Sequence, residues 1–301
     1  MKKFYLSKNR KMFYCFLFLL PQIIITIIFT YYPVILNIRY SLYDWIGFGN
    51  LNHFIGLKNY CNLINDSIFW NSIRNTFTYG FGLMLVQIPL ALLIAILLND
   101  KKLRGVNFYR TSFFIPSATI AAVIGSVMAW IFSPFNGVFN TVLVNLGIIS
   151  RPIEWLGRVD LALIIVIAVG IWKSLGVTII YWLTGLQSIP DELYDAAKID
   201  GADWWGCFRH ITLPLISKVG LVIFIVSIKG AFTAFDLIMT MTGGGPGTST
   251  QTVDVFIYKY AFAGILGQTK MGYASGASVL FSFSIIGIGV FLYFLRKRIL
   301  R

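Results

Sequence analysis

Three ionisable side chains interrupt long apolar runs. Lys173 falls about twelve residues into Leu161–Leu186, and Lys229 and Asp236 fall within Val219–Met241. A charge placed at that depth costs several kcal/mol unless it faces protein or water, so each must be paired or hydrated. Two chemistries fit these residue types. In one, Asp236 neutralises a lysine and holds helices together. In the other, Trp172, Lys173, Lys229, Phe232 and Asp236 line a hydrated path: the aromatic faces stack on sugar rings and the charged groups bond hydroxyls. A pair of cations would also suit a phosphate or carboxylate. On one continuous helix Lys229 and Asp236 lie two turns apart on one face.

The other concentration of chemistry is Ser188–Pro214, SIPDELYDAAKIDGADWWGCFRHITLP, a polar interval between long apolar runs. It carries five of the twelve carboxylates, Asp191, Glu192, Asp195, Asp200 and Asp203. Its pattern predicts helix, turn, helix. Ser188 with Asp191 matches a capping box, and Pro190 suits a first helical turn. Leu193, Ala196 and Ala197 share a narrow face of small residues. Asp200-Gly201 stops the helix, with Gly201 expected at positive φ. Asp203 caps a second short helix, which Pro214 is expected to end. Such a face suits docking into a partner's groove; a solvated amphipathic loop is the other reading.

Other chemistries are unsupported. His53 and His210 fall on opposite sides of the topology below, which excludes a metal site or dyad built on the pair. Cys15, Cys61 and Cys207 have no ligand spacing and no expected disulfide. The run Gly243-Gly244-Gly245-Pro246-Gly247 lacks the G-x-x-x-x-G-K-S/T pattern and a preceding strand, so it reads as a tight turn rather than a phosphate cradle.

The elements that must position these residues follow from composition. Of 301 residues 57% are apolar and 12% charged, with mean hydropathy +0.76, about half the charge of a soluble domain. The apolar surplus must face lipid. The formal charge of +13 clusters at the ends of apolar runs, where it fits membrane lipid headgroups rather than nucleic acid. The fold class is all-α, with six membrane spans: Met12–Ile35, Phe77–Leu98, Thr111–Phe132, Leu161–Leu186, Val219–Met241 and Met271–Leu295. Pro21 and Pro33 are expected to kink the first, and Val138–Ile149 is too short to cross. Residues 1–11 form an N-tail, 12–295 the spanning domain and 296–301 a C-tail. The first apolar run is longer than a signal-peptide core and lacks an A-x-A site, so it is expected to stay as a span.

Basic residues orient this arrangement. The N-tail, the Asp100–Arg110 loop, the Ser188–Pro214 segment with Lys218, and the C-tail hold sixteen, including Lys2, Lys101, Lys102, Lys198, Arg296 and Arg301. The opposite loops are much longer and hold seven. Both termini and Ser188–Pro214 are therefore expected in the cytoplasm.

The stretch D-A-A-K-I-D-G-A at Asp195–Ala202, followed by Phe208, Ile211 and Leu213-Pro214, resembles the coupling loop of binding-protein-dependent ABC importer permeases. I-P-D-E-L-Y-D-A-A-K-I-D-G-A is similar to the branch that carries sugars and glycerol phosphate. The resemblance extends to I-W-K-S-L-G at Ile171–Gly176, A-F-D-L-I-M-T-M-T-G-G-G-P-G-T-S-T at Ala234–Thr250 and M-G-Y-A-S-G-A-S at Met271–Ser278. That family usually has Glu where this chain has Asp195, and Ala where it has Gly276. The resemblance implies a permease in a bacterial plasma (inner) membrane, without enzymatic activity or cofactor of its own. Its partners would be a sister permease, two ATPase subunits holding ATP and Mg, and an external solute-binding protein for a small-molecule solute. It also implies that Glu192, Leu193, Asp195, Ala196, Ala197, Asp200, Gly201 and Ala202 meet the ATPase. From the residues alone, an ion-coupled secondary transporter using Lys173, Lys229 and Asp236, or a membrane scaffold, stays open.

Overall fold

The computed structural model describes residues 8–100, 103–264 and 268–299. Of the basic residues used above, Lys2, Lys3, Lys101, Lys102 and Arg301 lie outside this set. So do the side chains of Lys8, Arg10, Lys11, Lys229, Arg296, Lys297 and Arg298. The described chain is almost wholly helical, and its β pairing is an isolated bridge between Tyr43 and Phe54. In order come α1 (Lys8–Thr26), a π-helical turn at Ile27–Tyr31, α2 (Tyr32–Tyr40), α3 (Lys58–Ile64), α4 (Ser67–Asn99) and α5 (Val106–Ala118). Then come α6 (Ala121–Ile131), α7 (Val138–Asn145), α8 (Ala162–Gln187), α9 (Asp191–Ile199) and α10 (Trp204–Cys207). A second π-helical turn, Phe208–Thr212, leads to α11 (Leu213–Ala231), α12 (Phe235–Met241), α13 (Val253–Tyr258), a third π-helical turn at Lys259–Ala263, and α14 (Met271–Ile299).

Among the described residues, four stretches are long and apolar enough to cross a membrane: Tyr14–Tyr40, Ser67–Asn99, Ala162–Gln187 and Trp204–Ile228. α5 and α6 together make a fifth only as a broken span, bent by 96°. The apolar part of α14, Met271–Gly287, is shorter. Two expected spans are therefore interrupted. Between α5 and α6, Thr119 and Ile120 are extended, a conformation that suits their β-branched side chains. Between α11 and α12 the helix stops at Phe232–Ala234, so Lys229 and Asp236 do not share a continuous helical face as expected. Pro21 sits inside an uninterrupted α1. Pro33 and Pro214 each follow a π-helical turn, because the ring offers no N–H and crowds the carbonyl four residues back. Pro214 thus starts α11 rather than ending a short helix.

The chain divides into two compact units. Residues 1–66 with 257–301 form one, in which α14 packs on α2 and α3. There the Asn59 amide donates to the Ser41 and Tyr43 carbonyls, and the Tyr273 hydroxyl donates to Asp66 at 2.7 Å. Residues 67–256 form the other, centred on α8.

In that second unit the contacts fix the helix directions. Tyr79 lies against Gly170, Gln87 against Ser174 and Thr178, and Ile88 against Trp182, so α4 and α8 run parallel. Phe113 meets Gly176 while Ser117 meets Lys173, so α5 runs antiparallel to α8. Val219 meets Gly185 and Gly220 meets Trp182, which makes α11 antiparallel too. Alternating direction is what successive crossings require. Gly176 permits the tight α5–α8 contact, since an added Cβ would strike the Phe113 carbonyl. Leu83, Ile124, Val166 and Ile238 fill one part of the core, and Ala91, Ile179, Leu183 and Ile223 another.

Candidate functional site: a cavity in the helix bundle and an exposed helical segment

The cavity lies among α4, α5, α6, α8, α11 and α12, with a volume of about 320 Å³. Lys173 and Asp236 both line it, with Gln87, Ser117, Tyr181 and Thr233. Neither charged side chain has an ion pair or hydrogen bond among the described residues, so the expected lysine–Asp236 pair does not form between Lys173 and Asp236. The other expected path residues diverge. Phe232 is buried edge-on against Phe77, with ring centroids 5.3 Å apart, and Trp172 is half-exposed; neither lines the cavity. Gly230 lines it, beside Lys229, whose side chain is outside the described set.

The break between α5 and α6 also opens onto this cavity through Ser117 and Ala121. No side chain caps α6, so the first amides of that helix keep a partial positive charge. The cavity thus combines a lysine and a carboxylate with the neutral polar side chains of Gln87, Ser117, Tyr181 and Thr233. The charge pattern of the sequence located Lys173 and Asp236. It did not point to Gln87, Ser117 or Tyr79, which carry no charge to mark them.

The second candidate is α9 and α10. Pro190 precedes α9 in an extended conformation, and Asp191 and Glu192 occupy the first turn, where they complement the helix dipole. Ser188 does not cap it. Its hydroxyl donates to the Gly185 carbonyl at 2.7 Å and closes α8 instead. Gly201 has φ +82°, and the Asp203 carboxylate accepts the Gly206 amide at 2.7 Å, so the stop and the second cap form as expected. Glu192, Leu193, Asp195, Ala196, Asp200 and Gly201 are exposed; Ala197 and Ala202 are partly so. Among the described residues, Asp195 pairs with its neighbour Lys198, at 3.1 Å. No motif marked Tyr194, which packs on the core and shares a 2.9 Å hydrogen bond with Thr212. Trp204 stacks on Phe208 while staying 64% exposed. These residues border an open groove of about 1300 Å³ floored by Leu97, Leu98 and Phe113.

The Gly-rich stretch is more than a turn. Asn75 donates to the Thr248 carbonyl at 2.8 Å and the Gln251 carbonyl at 3.0 Å, and Asn71 donates to the Thr248 carbonyl at 3.0 Å. Thr76 accepts the Val253 amide, and Thr250, Gln251 and Thr252 are buried. Just beyond, burial pushes the Asp254 carboxyl up to about 6.

Residues 87–301 match the family described as the binding-protein-dependent transport system inner membrane component. A probable ABC transporter permease of Pyrococcus horikoshii, PH1215, is 37% identical over 94% of this chain and 96% of its own length. The multiple sugar-binding transport system permease MsmF of Streptococcus mutans is 36% identical, covering 90% of each chain. The sn-glycerol-3-phosphate permease UgpA of Agrobacterium fabrum is 31% identical over 94% of this chain and 95% of its own. In fold, a chain of a bacterial ABC transporter involved in importing the acidic polysaccharide alginate superposes with a TM-score of 0.84. It covers 97% of this chain and 98% of its own, at 24% identity. The chain belongs to the inner-membrane components of binding-protein-dependent transport systems: it is an ABC importer permease, a transport subunit.

Proposed function

We propose that this permease imports sugars or related polyhydroxyl solutes, driven by ATP hydrolysed on separate subunits. The exposed α9–α10 segment is the observation that carries the coupling role. It presents small side chains and exposed carboxylates while Tyr194 fastens it to the bundle. ATPase subunits holding ATP and Mg dock on Glu192–Ala202; their closure pushes α9 and swings the spans between inward-facing and outward-facing forms. A sister permease completes the pathway, and an external binding protein delivers solute.

Six spans with both termini and α9–α10 in the cytoplasm agree with the alternation of helix directions and with the basic residues at one set of ends. The domain limits are then 1–11, 12–295 and 296–301. In the cavity, Lys173 and Asp236 supply a donor and an acceptor to solute hydroxyls, with Lys229 on the adjoining stretch of α11. Lactose, trehalose/maltose and glycerol phosphate permeases among the relatives support the solute class. The test is affinity purification of the tagged chain from its native membrane, followed by mass spectrometry. A second permease and an ATPase should be retained at near-stoichiometric amounts; recovery of the chain with neither would overturn the reading.

A further inference from the structure

α7 joins α6 to the N-terminal end of α8, at the end of that span away from α9, and at eight residues it is only about 12 Å long. One side of it is clamped. Asn140 is 2% exposed; its amide nitrogen donates to the Ser133 and Ile153 carbonyls at 3.1 and 2.9 Å, and its oxygen accepts the Ile153 amide at 3.0 Å and the Trp155 indole at 2.9 Å. Phe139 packs edge-on against Phe132 and Trp155, with ring centroids 5.0 and 5.2 Å away. The rest of the helix surface is divided lengthwise. Val138, Val142 and Leu146, four residues apart and so on one strip, are exposed, as is Phe135 just ahead of them. Thr141 and Asn145 form a neighbouring exposed strip that is polar.

The lack of charge selects what covers the apolar strip. Residues 111–150 contain no Asp, Glu, Lys, Arg or His, a run that continues well past the end of α6. Charge returns only at Arg151, after which Glu154, Arg158 and Asp160 follow. In water, Phe135 would stand 83% and Leu146 68% exposed, at a cost proportional to that apolar area. A docked protein would find no charge on this face to steer it or set its register. A lipid boundary needs none. The chain is an inner-membrane component, and the last turn of α6 carries Trp130, 64% exposed, a residue type of membrane–water interfaces. We propose that α7 lies in the membrane surface, with Phe135, Val138, Val142 and Leu146 between headgroups and acyl chains and with Thr141 and Asn145 toward water. Having no basic side chain, it enters neutral and anionic bilayers alike, unlike helices drawn to a surface by lysine and arginine. This placement depends on membrane residence alone and holds whichever solute is carried.

The test uses the full chain, purified with the subunits it retains and placed in lipid nanodiscs, after Cys15, Cys61 and Cys207 are replaced by Ser. Val142→Cys and Asn145→Cys, one at a time, carry an environment-sensitive fluorophore; both sites are exposed and neither takes part in the Asn140 hydrogen bonds. In phosphatidylcholine alone, the Val142 label should lose most of its emission to a spin label held near the top of the lipid acyl chain. It should lose less to one held near the chain end, and little to iodide. The Asn145 label should lose most of its emission to iodide. Adding phosphatidylglycerol should leave both patterns unchanged. Leu146→Cys should repeat the Val142 pattern, which covers the case in which one label disturbs its own site. Iodide quenching at both Val142 and Leu146 would place the strip in water, and protection of both from either quencher would place it under a protein partner. Lipid quenching that appears only with phosphatidylglycerol would assign the contact to charge. Each of these three results overturns the proposal.

Discussion

The Gly243–Thr252 loop and the α9–α10 segment are both polar intervals between apolar helices, yet their hydrogen bonds go to different places. In the loop, side chains from a distant part of the sequence supply the donors: Asn71 and Asn75 reach across to Thr248 and Gln251, and Thr242 and Thr250 bond each other at 2.6 Å. The polar atoms of α9–α10 are mostly satisfied within the segment, as in Asp203 with Gly206 and Asp195 with Lys198, or left to solvent. A fold spends buried hydrogen bonds where geometry must be fixed and leaves polar groups free where another molecule will bind. The first region is therefore expected to govern stability and the second to govern association.

The largest effect tests the first half of that contrast. Asn75→Leu leaves the Gln251 carbonyl without this donor and takes one from Thr248, and should destabilise the purified protein by about 2–4 kcal/mol. Thermal unfolding and earlier protease cleavage within Gly243–Thr252 would report it. A melting temperature within a degree of wild type would mean that the loop is not held by these bonds.

Asp254 sharpens the same half with the opposite sign. Its carboxyl is raised to about 6 by burial, so folding favours its protonated form. The contribution of Asp254 to stability is therefore full below about pH 4 and is lost as pH rises through 6. Asp254→Asn does not titrate, and should be more stable than wild type by about 1–3 kcal/mol at pH 7, with the gap closing by pH 4. Melting curves of both proteins at pH 4, 5, 6 and 7 check this; a gap that is constant with pH would contradict it.

The smallest effect on stability belongs to α9. Asp195→Ala and Ala197→Phe change exposed or partly exposed sites, and each should shift unfolding by less than about 0.5 kcal/mol. Retention of the ATPase should nevertheless fall about tenfold for Ala197→Phe, through overpacking of a docked face. The loss for Asp195→Ala should be smaller. Wild-type retention and uptake in both variants would reduce this segment to a solvated loop.

What could be read in advance followed the strength of each local signal. Ala162–Gln187 and the part of Ser67–Asn99 from Phe77 onward are long apolar runs that composition alone locates, whereas the polar first turns of Ser67–Asn99 read as a connecting segment. The break at Phe232–Ala234 carries neither Gly nor Pro, and Thr119-Ile120 is an ordinary β-branched pair, so tertiary packing decided both. Ser188 matched a capping pattern, but its hydroxyl found a carbonyl three residues back before it could reach α9. Asp203 met no such competitor, and its cap formed as the pattern required. In the cavity, charge drew attention to Lys173 and Asp236. Which way Trp172 and Phe232 face depends on how α8 and α11 rotate against their neighbours, and no spacing in the chain specifies that.

The hydrogen bond between Tyr194 and Thr212 has a thermodynamic consequence for whatever docks on α9. It joins residues eighteen apart, and the segment is anchored beyond each end by the buried Ile189 and Ile216. The conformational entropy of this excursion is therefore largely lost during folding rather than at the moment of contact. A partner meets a preorganised surface, and less of the interaction free energy goes into immobilising it. An interface of modest area can then bind tightly enough to stay assembled through repeated cycles of motion.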